Sequence, residues 1–284
     1  MISAEDLKVL IKNKAHKNGT APQDVMQMYF FERLLYRIAN SKYKNNFILK
    51  GGLLLSAIIG DERRTTQDMD TMIKGIELDE SILLPIIKGI IKIDGNDGIT
   101  YEISKIKDIR LEDIYGGMKI YLIGKKEHLQ VPLTIDVTTK DPIIPRELSF
   151  KYNCMFEDNY ISIMVFSNET IIAEKFETLI KDTISNTRAK DLYDLYMLIK
   201  DHYDSINEEN LIKAIKSTCK RRNSLDILDN INERFETIKN SSIMEERWNK
   251  YSKKYIYANN ISYEEIINEI DKVVKIINKE LELV

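Results

Sequence analysis

The chain has 284 residues, of which 43% are hydrophobic and 31% charged, a composition typical of a folded protein of about two domains. Its formal net charge of −3 excludes a globally basic surface, so any contact with nucleic acid requires a local basic patch. Cys154 and Cys219 show no disulfide or zinc-site spacing, and neither a signal-peptide pattern nor a membrane-length apolar run is present, so we expect a soluble, cytoplasmic protein.

The first half of the chain mixes helix and strand patterns. Apolar residues recur every three or four positions over residues 21–40, which predicts an amphipathic helix. FILKGGLLLSAII predicts a short strand, a tight corner at Gly51 and Gly52, and a buried helix. A further helix is expected over 81–91, with Pro85 near its first turn. β-Branched and alternating segments predict strands at DMDTMIKG and over residues 99–109, 118–123 and 131–138.

The second half shows helical periodicity. Helices are predicted over residues 169–180, 190–200, 208–219, 227–239, 244–258 and 263–281. Asn168 and Asn207 are expected to cap the first and third of these helices. The fold class is therefore predicted to be α+β, with a mixed sheet and flanking helices in residues 1–165. An all-helical domain over 166–284 is expected to complete an active-site cleft.

The strongest chemical signal combines the two glycines with Asp68 and Asp70. Alternation along a strand places these carboxylates on one face, about 7 Å apart, close enough to share a divalent cation. Mg²⁺ favours such oxygen ligands, with Mn²⁺ as an alternative. Gly51 and Gly52 at a helix start allow backbone N–H groups to approach phosphate oxygens.

Asp136 is the third predicted member of this site. It lies in the apolar run LTIDV, where an unpaired carboxylate would be costly to bury. If its strand lies beside Asp68 and Asp70, three carboxylates converge and a two-metal mechanism becomes possible. The alternative is structural, because acids flank strands in many proteins; the combination with the glycine pair favours the functional interpretation.

These motifs resemble the AbiEii/AbiGii nucleotidyltransferase family, toxins of bacterial abortive-infection and type IV toxin–antitoxin systems. The resemblance rests on FILKGGLLLSAIIGDERRTTQDMD, TIDVTTKDPIIP and IIAEKFETLIKDTISNTRAKDLYDLYML. It implies a nucleotidyltransferase-type domain, Asp68 and Asp70 as the metal pair, and Asp136 within a further motif. It also implies that Lys175 contacts the nucleotide and that Asp191 is the final motif aspartate. Thr66 occupies a hydroxyl position that is modified in some relatives.

Several basic residues have both a functional and a structural interpretation. Arg63 or Arg64 could clamp a γ-phosphate or an acceptor backbone, with Arg64 preferred, whereas the two could also be an exposed loop pair. Arg188 could pair with phosphate or with Asp191, and Lys175 could be a solvated helix residue. For the cluster at residues 220–222, contact with RNA and helix C-terminal pairing are equally favoured.

The resulting hypothesis is an enzyme that transfers NMP from an NTP to an acceptor and releases pyrophosphate. The resemblance implies a growth-arresting toxin in a phage-defence system, an antitoxin encoded alongside it, and the 3′ end of tRNA as acceptor. One alternative is a nucleotidyltransferase acting on a protein or small molecule. Another is a non-catalytic NTP-binding regulatory module.

Overall fold

A computed structural model of the chain describes residues 2–60, 62–109 and 116–281. Its contacts define two units, each considered by itself. The first comprises Met1–Asp141 and Glu147–Phe166, and the second comprises Pro142–Arg146 and Ser167–Val284. Within the described part of the chain, no helix is long and apolar enough to cross a membrane.

A seven-stranded mixed sheet organises the first unit. Its order along the sheet is β3–β4–β5–β2–β1–β7–β6. The β2–β5 and β1–β7 pairs are parallel, whereas the other neighbours are antiparallel. The strands are β1 (Phe47–Lys50), β2 (Met69–Ile73), β3 (Thr100–Ile109), β4 (Gly117–Lys126), β5 (Leu129–Thr139), β6 (Leu148–Asn153) and β7 (Tyr160–Val165).

In the described residues four helices accompany this sheet, and the second of them packs on its buried face. They are α1 (Ala4–Asn18), α2 (Pro22–Ala39), α3 (Gly51–Ile59) and α4 (Glu80–Ile91). Along β4 and β5, buried apolar residues such as Ile120 and Ile135 alternate with more exposed ones. A Cβ at Gly124 would collide with the ring of Phe30, so glycine allows α2 to pack on the buried face.

Beneath this face lies a buried ionic cluster. Asp97 accepts hydrogen bonds from Arg33 Nε at 2.8 Å and from both Arg37 terminal nitrogens at 2.9 Å. Burial alone would raise the pKa of Asp97, but hydrogen bonds from Arg37 and Arg33 lower it to about 2. Lys126 Nζ donates to the Asp97 backbone carbonyl at 2.6 Å. These hydrogen bonds tie α2 to the residues just before β3.

The second unit is built from helices in the residues that the structure describes. They are α5 (Asn168–Asp182), α6 (Ala189–His202), α7 (Glu208–Arg221), α8 (Asp226–Asp229), α9 (Ile231–Lys239), α10 (Ser242–Lys254) and α11 (Tyr263–Leu281). Trp248, Tyr193 and Phe176 are fully buried, and Trp248 Nε1 donates to the Ile261 carbonyl at 2.9 Å. Large aromatic side chains therefore form much of this core.

Most predicted elements are present, and some of their bounds are corrected. The predicted helix over 227–239 is two helices, because Asn230 has non-helical dihedral angles. The helix predicted over 244–258 ends at Lys254, because Tyr255 is extended. Pro85 lies early in the second turn of α4, near the first turn as expected. The ring of Pro85 removes the helical hydrogen bond to the Ser81 carbonyl, and Ser81 is exposed.

Two cap predictions had different outcomes. Asn207 caps α7, as predicted, by accepting a hydrogen bond from the Asn210 N–H. The Asn168 prediction was wrong: Ser167 is the N-cap of α5 and accepts from the Thr170 N–H, and Asn168 is the first helical residue. Helix α1 and strands β6 and β7 were not predicted.

Candidate active site

The link between β1 and α3 is a glycine corner, formed by Gly51 and Gly52. Gly51 has a φ of 65°, in the left-handed region that favours glycine. A Cβ at Gly51 would collide with the Asp70 carboxylate, and one at Gly52 would collide with the Thr66 side chain. The Gly52 N–H bonds to Asp70. The absence of both side chains therefore brings the positive end of α3 against a carboxylate.

Asp68, Asp70 and Asp136 form a carboxylate cluster beside the glycine corner. Asp70 on β2 pairs in register with Asp136 on β5, so the two side chains lie on the same face of adjacent strands. β2 begins at Met69, and Asp68 occupies the bend before it. Thr66 Oγ1 donates to Asp68 Oδ1 at 2.8 Å. The fold thus places Asp68 and Asp136 near enough to Asp70 for their charges to act on its carboxylate.

The electrostatics of Asp70 show how close these charges are. Burial raises the pKa of Asp70 to about 6, and the charges of Asp68 and Asp136 add to this effect. The Lys50 ammonium and the Gly52 N–H act in the opposite direction. An ionised Asp70 is therefore held in an environment that would favour an additional cation.

Two lysines that were not among the predicted site residues border the cluster. Lys119 Nζ lies 2.9 Å from Asp136 Oδ2, and Lys50 Nζ lies 2.8 Å from Asp141 Oδ2. Burial would lower the pKa of Lys119, but its hydrogen bond to Asp136 and the Asp136 charge raise it. No sequence motif marks Lys119 as a site residue. It reaches the site because the pairing of β4 with β5 places it opposite Asp136.

The donor chemistry of the cluster fits a hard divalent cation. Asp136 Oδ1 is buried and accepts no hydrogen bond from the residues described. Carboxylate oxygens are the ligands that Mg²⁺ prefers, and a cation would satisfy this oxygen and offset the like charges. Among the described side chains, no three acidic, histidine or cysteine groups already converge as a metal site. The assignment of all three aspartates as ligands therefore stays a prediction.

Arg64 and Thr66 lie at the glycine corner, as a phosphate-binding role would require. Arg64 is buried, and its Nη1 donates to the Thr65 carbonyl. A Cβ at Gly52 would lie 3.3 Å from Arg64 Nη2. Arg63 is half exposed and lies 3.9 Å from Glu62. Of the two loop arginines, Arg64 is thus the one placed beside the candidate site.

The remaining predicted residues belong to the second unit. Lys175 Nζ lies 2.7 Å from Asp191 Oδ1 and 2.8 Å from Asp194 Oδ2, and both aspartates are buried. Burial alone would lower the pKa of Lys175, but the charges of Asp194 and Asp191 raise it. Arg188 is exposed, and its N–H donates to Asn186 Oδ1 at 2.7 Å.

The structure also shows the surroundings of the tyrosines in DLYDLY and of the basic residues 220–222. Tyr193 and Tyr196 are buried, which agrees with a packing role. Arg222 lies 2.6 Å from Glu177 Oε2 and caps the end of α7, which agrees with the structural interpretation of that basic residue.

Carboxylates on adjacent strands, beside a helix that begins at a glycine corner, can position a nucleoside triphosphate and its metal ion. The enzyme class that this arrangement defines is nucleotidyltransferase. The chain belongs to the family described as Nucleotidyl transferase AbiEii toxin, Type IV TA system, whose model matches residues 33–270. Membership implies an NTP substrate and a cognate antitoxin.

Solved structures show the same fold. One similar chain is a candidate nucleotidyltransferase from Helicobacter pylori, with 16% identity and a TM-score of 0.50; the alignment covers 92% of this chain and 97% of that one. A second is JHP933 from Helicobacter pylori, with 17% identity, a TM-score of 0.50, and coverage of 92% and 94%. No curated protein sequence matches the chain.

Proposed function

We propose that this toxin is a metal-dependent enzyme that transfers NMP from an NTP to the 3′ end of tRNA and thereby arrests growth. The observation that carries the proposal is the in-register pairing of Asp70 with Asp136, with the Gly52 N–H against Asp70. The biological setting that we propose is abortive infection, in which a cognate antitoxin controls the enzyme.

The proposed reaction is a single displacement at the α-phosphorus. The oxygen of the acceptor 3′ hydroxyl forms a bond to this phosphorus, and the bond to the bridging oxygen of the β-phosphate breaks. Pyrophosphate leaves with the electron pair of that bond. The hydroxyl proton passes to a carboxylate of the cluster or to solvent. The products are an RNA longer by one nucleotide and pyrophosphate.

Asp68, Asp70 and Asp136 are the residues that would hold Mg²⁺ or Mn²⁺. Such an ion, when bound, supplies positive charge that polarises the phosphoryl group and neutralises the leaving pyrophosphate. The first turn of α3 would bind phosphate oxygens through backbone N–H groups other than that of Gly52, which donates to Asp70. Arg64 and Thr66 would contribute side-chain donors at the same corner.

The roles of Lys175, Asp191 and Arg188 rest on the family pattern and stay predictions. The Lys175 ammonium already contacts Asp191 and Asp194. Contact with a triphosphate would therefore require Lys175 to exchange one carboxylate partner or to use its third donor. Arg188 is exposed and has a side chain suited to bidentate phosphate binding.

The proposal can be tested by incubating the purified protein with Mg²⁺, total cellular tRNA and each of the four α-labelled NTPs in turn. The wild type is expected to move label into tRNA from at least one NTP, and Asp70→Ala to move none. Asp158→Ala, which changes an exposed acid in the same unit, is the matched control and should retain transfer.

The acceptor is separated from its alternatives by the mass of the labelled product. Label in protein or in a small molecule would contradict the tRNA assignment while retaining the nucleotidyltransferase chemistry. NTP binding without transfer to any component of a cell extract would instead indicate a regulatory module.

A further inference from the structure

The sheet face that carries the carboxylate cluster continues onto β4 and β3. Lys119 pairs in register with Asp136, and Lys107 pairs with Lys119. One step further along the strands, Tyr121 pairs with Thr134 and with Lys105. Cross-strand partners share a face of a sheet. The row that contains Asp70 and Asp136 therefore leads directly into lysines and a tyrosine.

These side chains are available to solvent. Lys105 and Lys107 are exposed, whereas Tyr121 and Lys119 are partly exposed. Lys107 Nζ lies 5.8 Å from the centre of the Tyr121 ring. We call Lys105, Lys107, Lys119 and Tyr121 the lysine face.

Protection of a sheet edge accounts for only part of this arrangement. β3 is an edge strand among the described strands, and edge lysines discourage pairing with other chains. Lys119 and Tyr121 lie on β4, which is paired on both sides. The opposite face of β4 carries the buried residues Met118, Ile120 and Leu122. These residues pack the strand into the core, so Lys119 and Tyr121 are not needed for that packing.

Charge and aromatic character together indicate a single-stranded nucleic acid. A phosphate backbone is bound by lysine ammonium groups, and a base can stack on an aromatic ring irrespective of its identity. With a net charge of −3, the protein offers no general attraction for RNA, so a local cationic surface is required. The strand spacing places the Lys107 and Asp70 positions about 14 Å apart, a distance that a few nucleotides can span.

We propose that the lysine face binds the single-stranded 3′ end of the RNA acceptor and leads its terminal hydroxyl to Asp70 and Asp136. This inference rests on the proposed transfer to tRNA. Lys105 and Lys107 bind phosphates upstream of the terminal nucleotide, and Tyr121 stacks with a base. Lys119, which contacts Asp136, lies between the lysines that bind the RNA and the carboxylate cluster.

The test compares the wild type with Lys105→Glu/Lys107→Glu in two assays on the 284-residue chain. The first measures kcat and KM for tRNA with labelled NTP, and the second measures binding of fluorescein-labelled tRNA by anisotropy over a range of salt concentrations. The matched control is Lys12→Glu/Lys17→Glu, which makes the same charge change at exposed positions on α1.

The lysine-face variant is expected to raise the KM and Kd for tRNA by about tenfold or more and to flatten the salt dependence of binding. The KM for NTP should be unchanged, because these lysines lie away from the glycine corner. Tyr121→Leu keeps an apolar side chain and should weaken binding by about tenfold with the salt slope retained. The α1 control should behave as the wild type.

Two results separate this inference from the proposed function. If the wild type labels tRNA and the lysine-face variant has an unchanged KM, the surface assignment is wrong and the transfer reaction stands. If the wild type binds tRNA through the lysine face but labels none with any NTP, the surface is supported and the transfer proposal fails. Binding of an acidic protein in place of tRNA would overturn the surface assignment.

Discussion

Asp70 and Asp136 lie opposite each other on the parallel strands β2 and β5. The Lys119 ammonium contacts Asp136, whereas burial and the neighbouring acids raise the pKa of Asp70 to about 6. The sheet therefore holds two carboxylates together at a free-energy cost. Such an arrangement is typical of a site maintained for chemistry and not for stability.

Asp70→Asn should abolish transfer and stabilise the metal-free protein. Because the pKa of Asp70 is raised in the folded state, the free energy of unfolding falls as pH rises from about 4 through about 6. Asparagine cannot ionise, so the variant does not lose this stability. We expect a gain of about 1–3 kcal/mol at pH 7 and little gain at pH 4. Urea unfolding of both proteins in EDTA, at pH 4 and at pH 7, measures this difference in the free energy of unfolding.

The same experiment with added Mg²⁺ provides a second measurement. Magnesium should stabilise the wild type and leave Asp70→Asn nearly unchanged, because the variant lacks one proposed ligand. Equal stabilisation of both proteins would show that Asp70 does not bind the ion.

Gly51→Ala should inactivate the enzyme. The residue has a positive φ, and its Cβ would collide with Asp70, so the corner or the carboxylate must move. Displacement by about 1 Å at a reacting centre can reduce the rate about a hundredfold. Gly89→Ala is the matched control, since its Cβ meets nothing within 4 Å, and it should stabilise α4 by about 1 kcal/mol. Retained activity in Gly51→Ala would remove the glycine corner from the site.

The helices and the site strands were predictable because their signals are local. Helical periodicity gave α2 and the helices of the second unit, and the glycine pair with Asp68 and Asp70 marked the site. β6 was missed because only one of its residues is buried, and β7 was missed because its short alternation runs into the apolar start of α5. Helix α1 was missed because it presents a sparse apolar stripe.

Lys175→Met should unfold or strongly destabilise the second unit. Removal of the ammonium leaves the buried Asp191 and Asp194 carboxylates without the cation that they share. We expect a loss of about 3–5 kcal/mol, measured by chemical denaturation. Lys175→Arg retains the charge and should lose less stability. If Lys175→Met folds normally and loses only NTP affinity, its principal role is nucleotide binding.

Asp97→Asn should destabilise the first unit by about 3–5 kcal/mol, because Arg33 and Arg37 then lack their buried counter-charge. The folded pKa of Asp97 is about 2, below its usual value, so its contribution is present above about pH 4 and is lost as pH falls through about 2. The difference between wild type and variant should therefore narrow in acid. A constant difference from pH 7 to pH 2 would exclude this linkage.

The residues around the site were less predictable than the carboxylates. Lys119 contacts Asp136, yet they are separated along the chain and meet only through the β4–β5 register. Asp97 likewise meets Arg33 and Arg37 from a distant segment. Such pairs depend on strand pairing and helix placement, which local patterns do not specify.

The segment Pro142–Arg146 has a consequence for how the chain can be divided. It lies between β5 and β6 in sequence, but belongs to the second unit. The Ile144 N–H donates to Thr170 Oγ1 at 2.9 Å, and its carbonyl accepts from the Ser167 hydroxyl. Expression of residues 1–166 alone would remove both partners and leave two main-chain groups unsatisfied. The two units are therefore interleaved along the chain, and neither can be obtained intact by a single cut.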